Sequence, residues 1–285
     1  MIKLSNGYEF EYMAASGVFG FSDRCWPWER PLCWLGLIDP SLFTLVTKTL
    51  TRYPRKGNPR WYLCVRPLRG GGFVNALGLP NPGIDWWCNH IGPSINPKTP
   101  LVVSIFSNEI GELYEMAEML NRFNVVALEF DASCPNTGEN LQNARFVIDG
   151  CKALSEASRF PIILKLSVVH DIGKIVPGVE RIVGAFSINS AQWRIVFPDR
   201  QSPFAHLGGG GVSGKVAQKH TWRFAKRLVE ITSVPVIWPS IWNYEDIAKA
   251  REFGAGAISF GSVSLIYPWR PTKFVRRGIK ERILI

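Results

Sequence analysis

LVVSIFSNEIGELYEMAEMLNRFNVVALEF, residues 101–130, contains the pattern that repeats along the chain. A run that is apolar apart from Ser104 (101–106) leads into a stretch with Ile110, Leu113, Met116, Ala117 and Leu120 on one helical stripe. A second apolar run follows at 125–130. Apolar runs this short, without polar alternation, suit strands buried on both faces of a parallel sheet. Parallel neighbours need a crossover, and the amphipathic 108–123 segment supplies one.

Outward from this unit the same alternation recurs. Further strands are predicted in YMAAS (12–16), FTLVTKT (43–49), PIILKLS (161–167), RIVGAFSIN (181–189), PVIWPS (235–240) and GAISFGS (256–262). Helices are predicted over 139–158 with Asn140 as a candidate cap, over 214–232, and over 243–254 between Asn243 as N-cap and Gly254 past its end. Eight strands alternating with helices over about 250 residues describe a (β/α)8 TIM barrel, expected as one domain spanning 1–285. The Gly/Pro/Trp-rich region at about 50–99 shows no clear helix. It reads as a long insertion over the C-terminal face of the strands.

Composition agrees with a folded core, at 46% hydrophobic and 20% charged residues. No apolar stretch reaches about 18 residues, so a cytoplasmic protein without a membrane segment is expected. The six cysteines include no C-x-x-C pair and read as free thiols. The four histidines show no metal-ligand spacing, so no metal is expected. The net charge of +10 fits nucleic acid, a membrane surface or an anionic small molecule. RPTKFVRRGIKER (270–282) reads as a solvated C-terminal helix rather than a polyanion site, because no nucleic-acid motif accompanies it.

In a barrel the chemistry sits at the C-terminal strand ends. Those ends carry Ser16, Lys48, Asp131, Lys165, Asn189, Ser190, Ser240, Gly261 and Ser262. A lysine inside an apolar strand is too costly to bury unpaired, so Lys48 and Lys165 either snorkel, pair with a carboxylate such as Glu129, or serve a ligand. LGGGGVSG (207–214) opens a predicted helix and SFGSVS (259–264) makes a second small-residue turn. Together they favour a phosphate-bearing ligand near the last two strands. Asn75, Asn81, Asn136 and Asn189 stand at turns and strand ends, where amides would suit a flat heterocycle, or simply a turn.

NALGLPNPG (75–83), DASCPNTG (131–138), LKLS (164–167), INS (188–190) and GGVSG (210–214), in this order and separation, resemble the class 1 dihydroorotate dehydrogenases. TLVTKTLT (44–51) and AASG (14–17) agree. The resemblance implies an FMN-binding barrel that oxidises dihydroorotate to orotate in pyrimidine biosynthesis. It implies Cys134 as the base that takes the C5 proton while a hydride passes from C6 to flavin N5, and Lys48 in contact with flavin and substrate. Asn75, Leu77, Gly78, Leu79, Asp131, Asn136, Asn189 and Ser190 would line the substrate pocket. Ala15, Ser16, Gly17, Lys48, Asp131, Lys165, Asn189, Gly214, Ser240, Gly261 and Ser262 would contact the flavin, with Lys165 at its N1/O2 edge. A thiol of free pKa about 8.5 suits a base near neutral pH when lysines stabilise its thiolate. A homodimer is expected, with fumarate, NAD through a partner subunit, or quinone open as electron acceptor. A related flavin oxidoreductase of another cyclic amide, or a flavin-free binding barrel, are the alternatives.

Two positions depart from the family pattern. Asp131 replaces an asparagine. Either it pairs with Lys48 or Lys165, or it is protonated, or the substrate differs. IWPSIWN (237–243) replaces a glycine pair at the FMN phosphate, and Pro239 has no N–H to offer. Ser240 and Ile241 still have theirs, and the Ser240 hydroxyl could compensate, so the phosphate site is expected to be either weaker or arranged differently.

Overall fold

The structure is a computed structural model and describes residues 1–133 and 143–283. Eight parallel strands form the barrel: β1 (Tyr12–Ala14), β2 (Thr44–Val46), β3 (Leu101–Ile105), β4 (Ala127–Asp131), β5 (Ile162–Leu166), β6 (Val183–Ile188), β7 (Ile237–Trp238) and β8 (Ala257–Phe260). They neighbour one another in the order β6-β5-β4-β3-β2-β1-β8-β7. The ring closes where the Phe186 N–H donates to the Pro235 carbonyl at 2.9 Å, beside a Phe186–Val236 bridge.

Strand side chains alternate between the two faces. Val103, Ile105, Leu128, Phe130, Leu164 and Phe186 point outward into the main core, where the helices cover them. This two-sided burial is why the runs are continuously apolar. Inside, one residue from each strand forms an apolar floor: Met13, Val46, Val102, Ala127, Ile163, Ala185, Ile237 and Ala257. A hairpin of Ile2–Lys3 and Glu9–Phe10 closes this lower end with Ile2, Leu4 and Phe10. Two residues further along the strands, the same period turns Lys48, Ser104, Glu129, Lys165 and Ser187 inward. Polarity therefore starts one layer above the floor, toward the C-terminal mouth.

Helices Ile110–Leu120, Gln218–Ile231 and Glu245–Glu252 lie within the predicted ranges. Three boundaries differ. The second crossover helix is Ala144–Ala157, capped by Asn143, whose side chain accepts from the Arg145 N–H; Asn140 lies outside the described residues. The glycine run does not open the next helix directly, because a 3-10 turn (Lys215–Ala217) comes first. Asn243 makes no side-chain cap; instead Asp246 accepts from the Trp242 and Asn243 N–H groups at 2.9 and 2.8 Å. Helix Ile172–Val179 was not apparent in the sequence, because Pro177 lies inside it. The basic C-terminal segment is a helix, Arg270–Ile283.

The 50–99 region is not free of helix: Ile84–Trp86 continues into Trp87–Ile91 and Gly92–Ser94. Its other part joins a four-stranded antiparallel sheet over the mouth. Val65–Pro67 pairs with Phe73–Asn75, which pairs with Gly211–Ser213, which pairs with Ala191–Gln192. Here Gly210 is required, since a Cβ would lie 2.5 Å from the Asn75 carbonyl oxygen. The cysteines are not all free thiols: Cys25 and Cys33 form a disulfide. No helix among the described residues is long and apolar enough to cross a membrane.

Candidate active site

The mouth of the barrel holds a buried ammonium between two carboxylates. Lys165 Nζ lies 3.2 Å from Glu129 Oε1 and 3.6 Å from Asp131 Oδ2. Burial alone would pull the Lys165 ammonium down, but Asp131 and Glu129 outweigh it and hold its pKa above the ordinary lysine value. Burial pushes the Glu129 carboxyl above its usual range, and Lys165 only partly offsets this. Hydroxyls complete the cluster. Ser104 Oγ donates to Glu129 Oε1 at 2.9 Å, and Thr49 Oγ1 donates to Asp131 Oδ2 at 3.0 Å. The Ser133 N–H (3.3 Å) and hydroxyl both donate to Asp131 Oδ1. Asn189 Nδ2 donates to Ser133 Oγ at 2.7 Å, which brings the β6 end onto the β4 end.

Of the pairings open to Asp131, the one formed is therefore with Lys165. Lys48 is placed differently. Its ammonium donates to the Pro80 carbonyl, lies 5.3 Å from the Phe21 ring centre, and meets no carboxylate among the described residues. Burial pulls its pKa down to about 8. The contact with Pro80 joins the β2 end to the 75–83 turn, where Gly78 and Leu79 have positive φ. Asn81 holds that turn: its Oδ1 accepts from the Thr51 and Gly83 N–H groups at 3.1 and 2.9 Å, and its Nδ2 donates to the Leu79 carbonyl at 2.9 Å. Its amide is thus committed to the backbone, unlike the ligand role considered for it. Asn75 ends a cap-sheet strand opposite Gly211, and Ser190 directly precedes the sheet's 191–192 strand.

The first and last strands supply small residues side by side. The Ala15 N–H donates to the Phe260 carbonyl at 2.9 Å, and a Cβ on Gly261 would meet only Ala15 Cβ, at 3.4 Å. Gly17 is left-handed and lies against Lys48. The Ser16 hydroxyl donates to the Thr47 carbonyl at 2.8 Å. At the β7 end Ser240 has φ +60, a conformation a non-glycine residue rarely adopts. Three side chains of the 218–231 helix hold it: Thr221 Oγ1 donates to Ser240 Oγ (3.1 Å), Gln218 Nε2 to the Ser240 carbonyl (3.1 Å) and Trp222 Nε1 to the Pro239 carbonyl (2.9 Å). The Ser240 and Ile241 N–H groups have no acceptor among the described residues. Two such backbone donors are of the kind that can hold an anion, even with no N–H at Pro239. With the small residues at Ala15, Gly17 and Gly261, these donors are the groups that could hold the phosphate and ring of a cofactor such as FMN.

Sequence reading missed Thr49, Ser104 and Ser133, although the period of two from Val102 marks Ser104 as inward. Cys134 and Asn136 lie outside the described residues; their chain neighbour Ser133 sits in the cluster.

Barrels bind at this face, and here it presents a lysine-centred charge cluster below a four-stranded sheet, with two unaccepted backbone N–H groups at the β7 end: an arrangement suited to a barrel enzyme. The comparisons with known proteins narrow the class. The sequence profile of the dihydroorotate dehydrogenase family matches residues 7–282, and the chain belongs to that family. It is 28% identical over 268 residues to the "Dihydroorotate dehydrogenase B (NAD(+)), catalytic subunit" of Bacteroides fragilis, covering 90% of this chain and 84% of that one. The protein of the same name from Geobacillus kaustophilus is 30% identical over 267 residues, covering 90% and 82%. Among solved structures, the ligand-free dihydroorotate dehydrogenase of Eimeria tenella superposes with a TM-score of 0.73 at 17% identity, covering 94% of this chain and 81% of that one. That likeness independently supports the barrel fold.

Proposed function

We propose that this chain is a class 1-type, FMN-dependent dihydroorotate dehydrogenase that oxidises dihydroorotate to orotate in pyrimidine biosynthesis. The observation that carries this reading is the meeting of Lys48, Asp131, Lys165 and Asn189 with the 75–83 turn at one mouth, in a chain of this family. FMN, when bound, supplies the two-electron acceptor. The chain's own task is to hold that cofactor, seat the substrate and take a proton. We assign cofactor binding to Ala15, Ser16, Gly17, Lys48, Lys165, Asn189, Gly214, Ser240, Gly261 and Ser262. We assign substrate binding to Lys48, Asn75, Leu77, Gly78, Leu79, Asn136, Asn189 and Ser190; Asp131, grouped with them by the resemblance, acts on the ligands through Lys165. Cys134, just after the β4 end, takes the C5 proton as its thiolate. The whole chain then acts as one FMN-binding unit, with the 50–99 insertion as its cover.

Purified protein is expected to be yellow and to bind one FMN per chain, read from its visible spectrum and by equilibrium titration of the apoprotein. A colourless protein that takes up no FMN contradicts the proposal.

Lys48 gives a pH prediction. Its ammonium attracts the orotate carboxylate only while protonated, and its pKa is about 8. Orotate affinity is therefore expected to fall as pH rises through about 8. Lys48→Arg, which stays charged, is expected to flatten that decline. The dissociation constant of orotate between pH 6.5 and 9.5, about 1.5 units either side of that pKa, checks both; an unchanged profile in Lys48→Arg contradicts the assignment.

The relatives are named catalytic subunits of an NAD+ enzyme, and we infer a partner subunit that carries electrons onward from a homodimer of this chain in the cytoplasm. Reoxidation of the reduced protein by NAD+ alone, with no partner added, would oppose that inference.

A further inference from the structure

We propose that Asp131 is a positioning residue. It holds the Lys165 ammonium down among the strand ends, and so makes the bound flavin harder to reduce and orotate weaker in binding. The proposal rests on the reading above that FMN and an anionic substrate occupy this mouth.

The surroundings of Asp131 are built for a carboxylate. Every described partner of its side chain donates: Thr49 Oγ1 and Lys165 Nζ to Oδ2, and the Ser133 N–H and hydroxyl to Oδ1. An ionised carboxylate only accepts, whereas the carboxamide of an asparagine presents an NH2 on one side. At this position the NH2 would face either the Lys165 ammonium or the Ser133 N–H, which only donate, although the Thr49 and Ser133 hydroxyls can also accept. The charge at 131 is therefore matched by Thr49, just past the β2 end, by Ser133, just past the β4 end, and by Lys165 on β5. The carboxylate is buried and held through both oxygens, so it cannot turn away from Lys165.

The electrostatic consequence follows from the geometry. Lys165 is the cation of the cluster, and two carboxylates draw on its field at 3.2 and 3.6 Å. Reduction of a flavin above the mouth adds negative charge there, and orotate brings a carboxylate. Both are stabilised by an uncompensated ammonium and disfavoured by a neighbouring carboxylate, and little water intervenes to screen either effect. In Asp131→Asn, Lys165 keeps Glu129 as a partner, so the fold is expected to survive while the positive field at the mouth increases.

The test uses the full-length protein loaded with FMN. The midpoint potential is read by reductive titration against a reference dye, and orotate affinity by the spectral change of the flavin. Asp131→Asn is expected to shift the two-electron reduction equilibrium toward the reduced form by about tenfold, or about 30 mV. Orotate is expected to bind roughly tenfold tighter. Asp131→Ser serves as a second neutral variant should the first fail to fold, and Asp131→Glu, which keeps the charge, is expected to stay near wild type. Neutral variants with potentials at or below wild type overturn the proposal, and so does a shift in Asp131→Glu as large as theirs. Weaker orotate binding in Asp131→Asn also overturns it, because the carboxylate would then contact the ligand itself. If wild type binds FMN but dihydroorotate does not reduce it, the substrate assignment fails while the potential comparison still decides the role of Asp131. If wild type binds no FMN, both fail together.

Discussion

Replacing Cys134 by alanine is expected to slow the anaerobic reduction of bound FMN by dihydroorotate by roughly a hundred- to ten-thousand-fold, the usual cost of losing a general base. FMN content and orotate binding should be unchanged, since the thiol moves a proton rather than holding either molecule. A thiol suits the task because its ordinary pKa is about 8.5, and nearby cations favour the thiolate. Residue 134 directly follows Ser133, whose hydroxyl and N–H are bound to Asp131. Cys134→Ser should retain part of the activity, shifted to higher pH because a hydroxyl is a far weaker base. Stopped-flow absorbance checks both variants. Near wild-type reduction in Cys134→Ala would place the base elsewhere.

Lys165→Met should be the most damaging change to stability in the mouth. It leaves Glu129 and Asp131 buried side by side without their cation, and breaking a buried ion pair by removing one partner costs about 3–5 kcal/mol. The loss should shrink as pH is lowered. Burial already holds Glu129 above the usual carboxylate range, and removing Lys165 raises it further. The folded variant then binds a proton that the unfolded chain releases, so its stability rises as pH falls through that window. Urea unfolding at pH values near 7.5 and 5.5 checks this, both lying above the ordinary pKa of glutamate, about 4.3. A loss below about 1 kcal/mol at the higher pH would mean that the cluster does not bear on folding. FMN affinity should fall in parallel.

The eight strands were legible because each is buried on both sides, so the apolar runs at 101–106, 125–130 and 161–167 needed no knowledge of their neighbours. Lys165 was legible as a charge inside such a run. Its partnership with Asp131 could only be narrowed, because two lysines competed for one carboxylate and nothing in the sequence ranks the two distances. The cap sheet was not legible: its strands are two or three residues long and pair Asn75 with Gly211 across more than a hundred positions. Helical turns at 84–94 were obscured by Trp, Cys, Asn, Gly and Pro, which favour a helix weakly or break it. The Cys25–Cys33 disulfide was missed because a spacing of eight matches no short cysteine motif. The free amides of Ser240 and Ile241 follow from a left-handed serine held by three side chains of a neighbouring helix, a tertiary arrangement with no local signature.

If this mouth oxidises dihydroorotate at a bound flavin, anaerobic titration of the FMN-loaded protein with dihydroorotate should bleach the visible flavin absorbance stoichiometrically, with one orotate formed per flavin reduced. A protein that keeps its full flavin absorbance under excess dihydroorotate, yet bleaches with a chemical reductant, would contradict that activity.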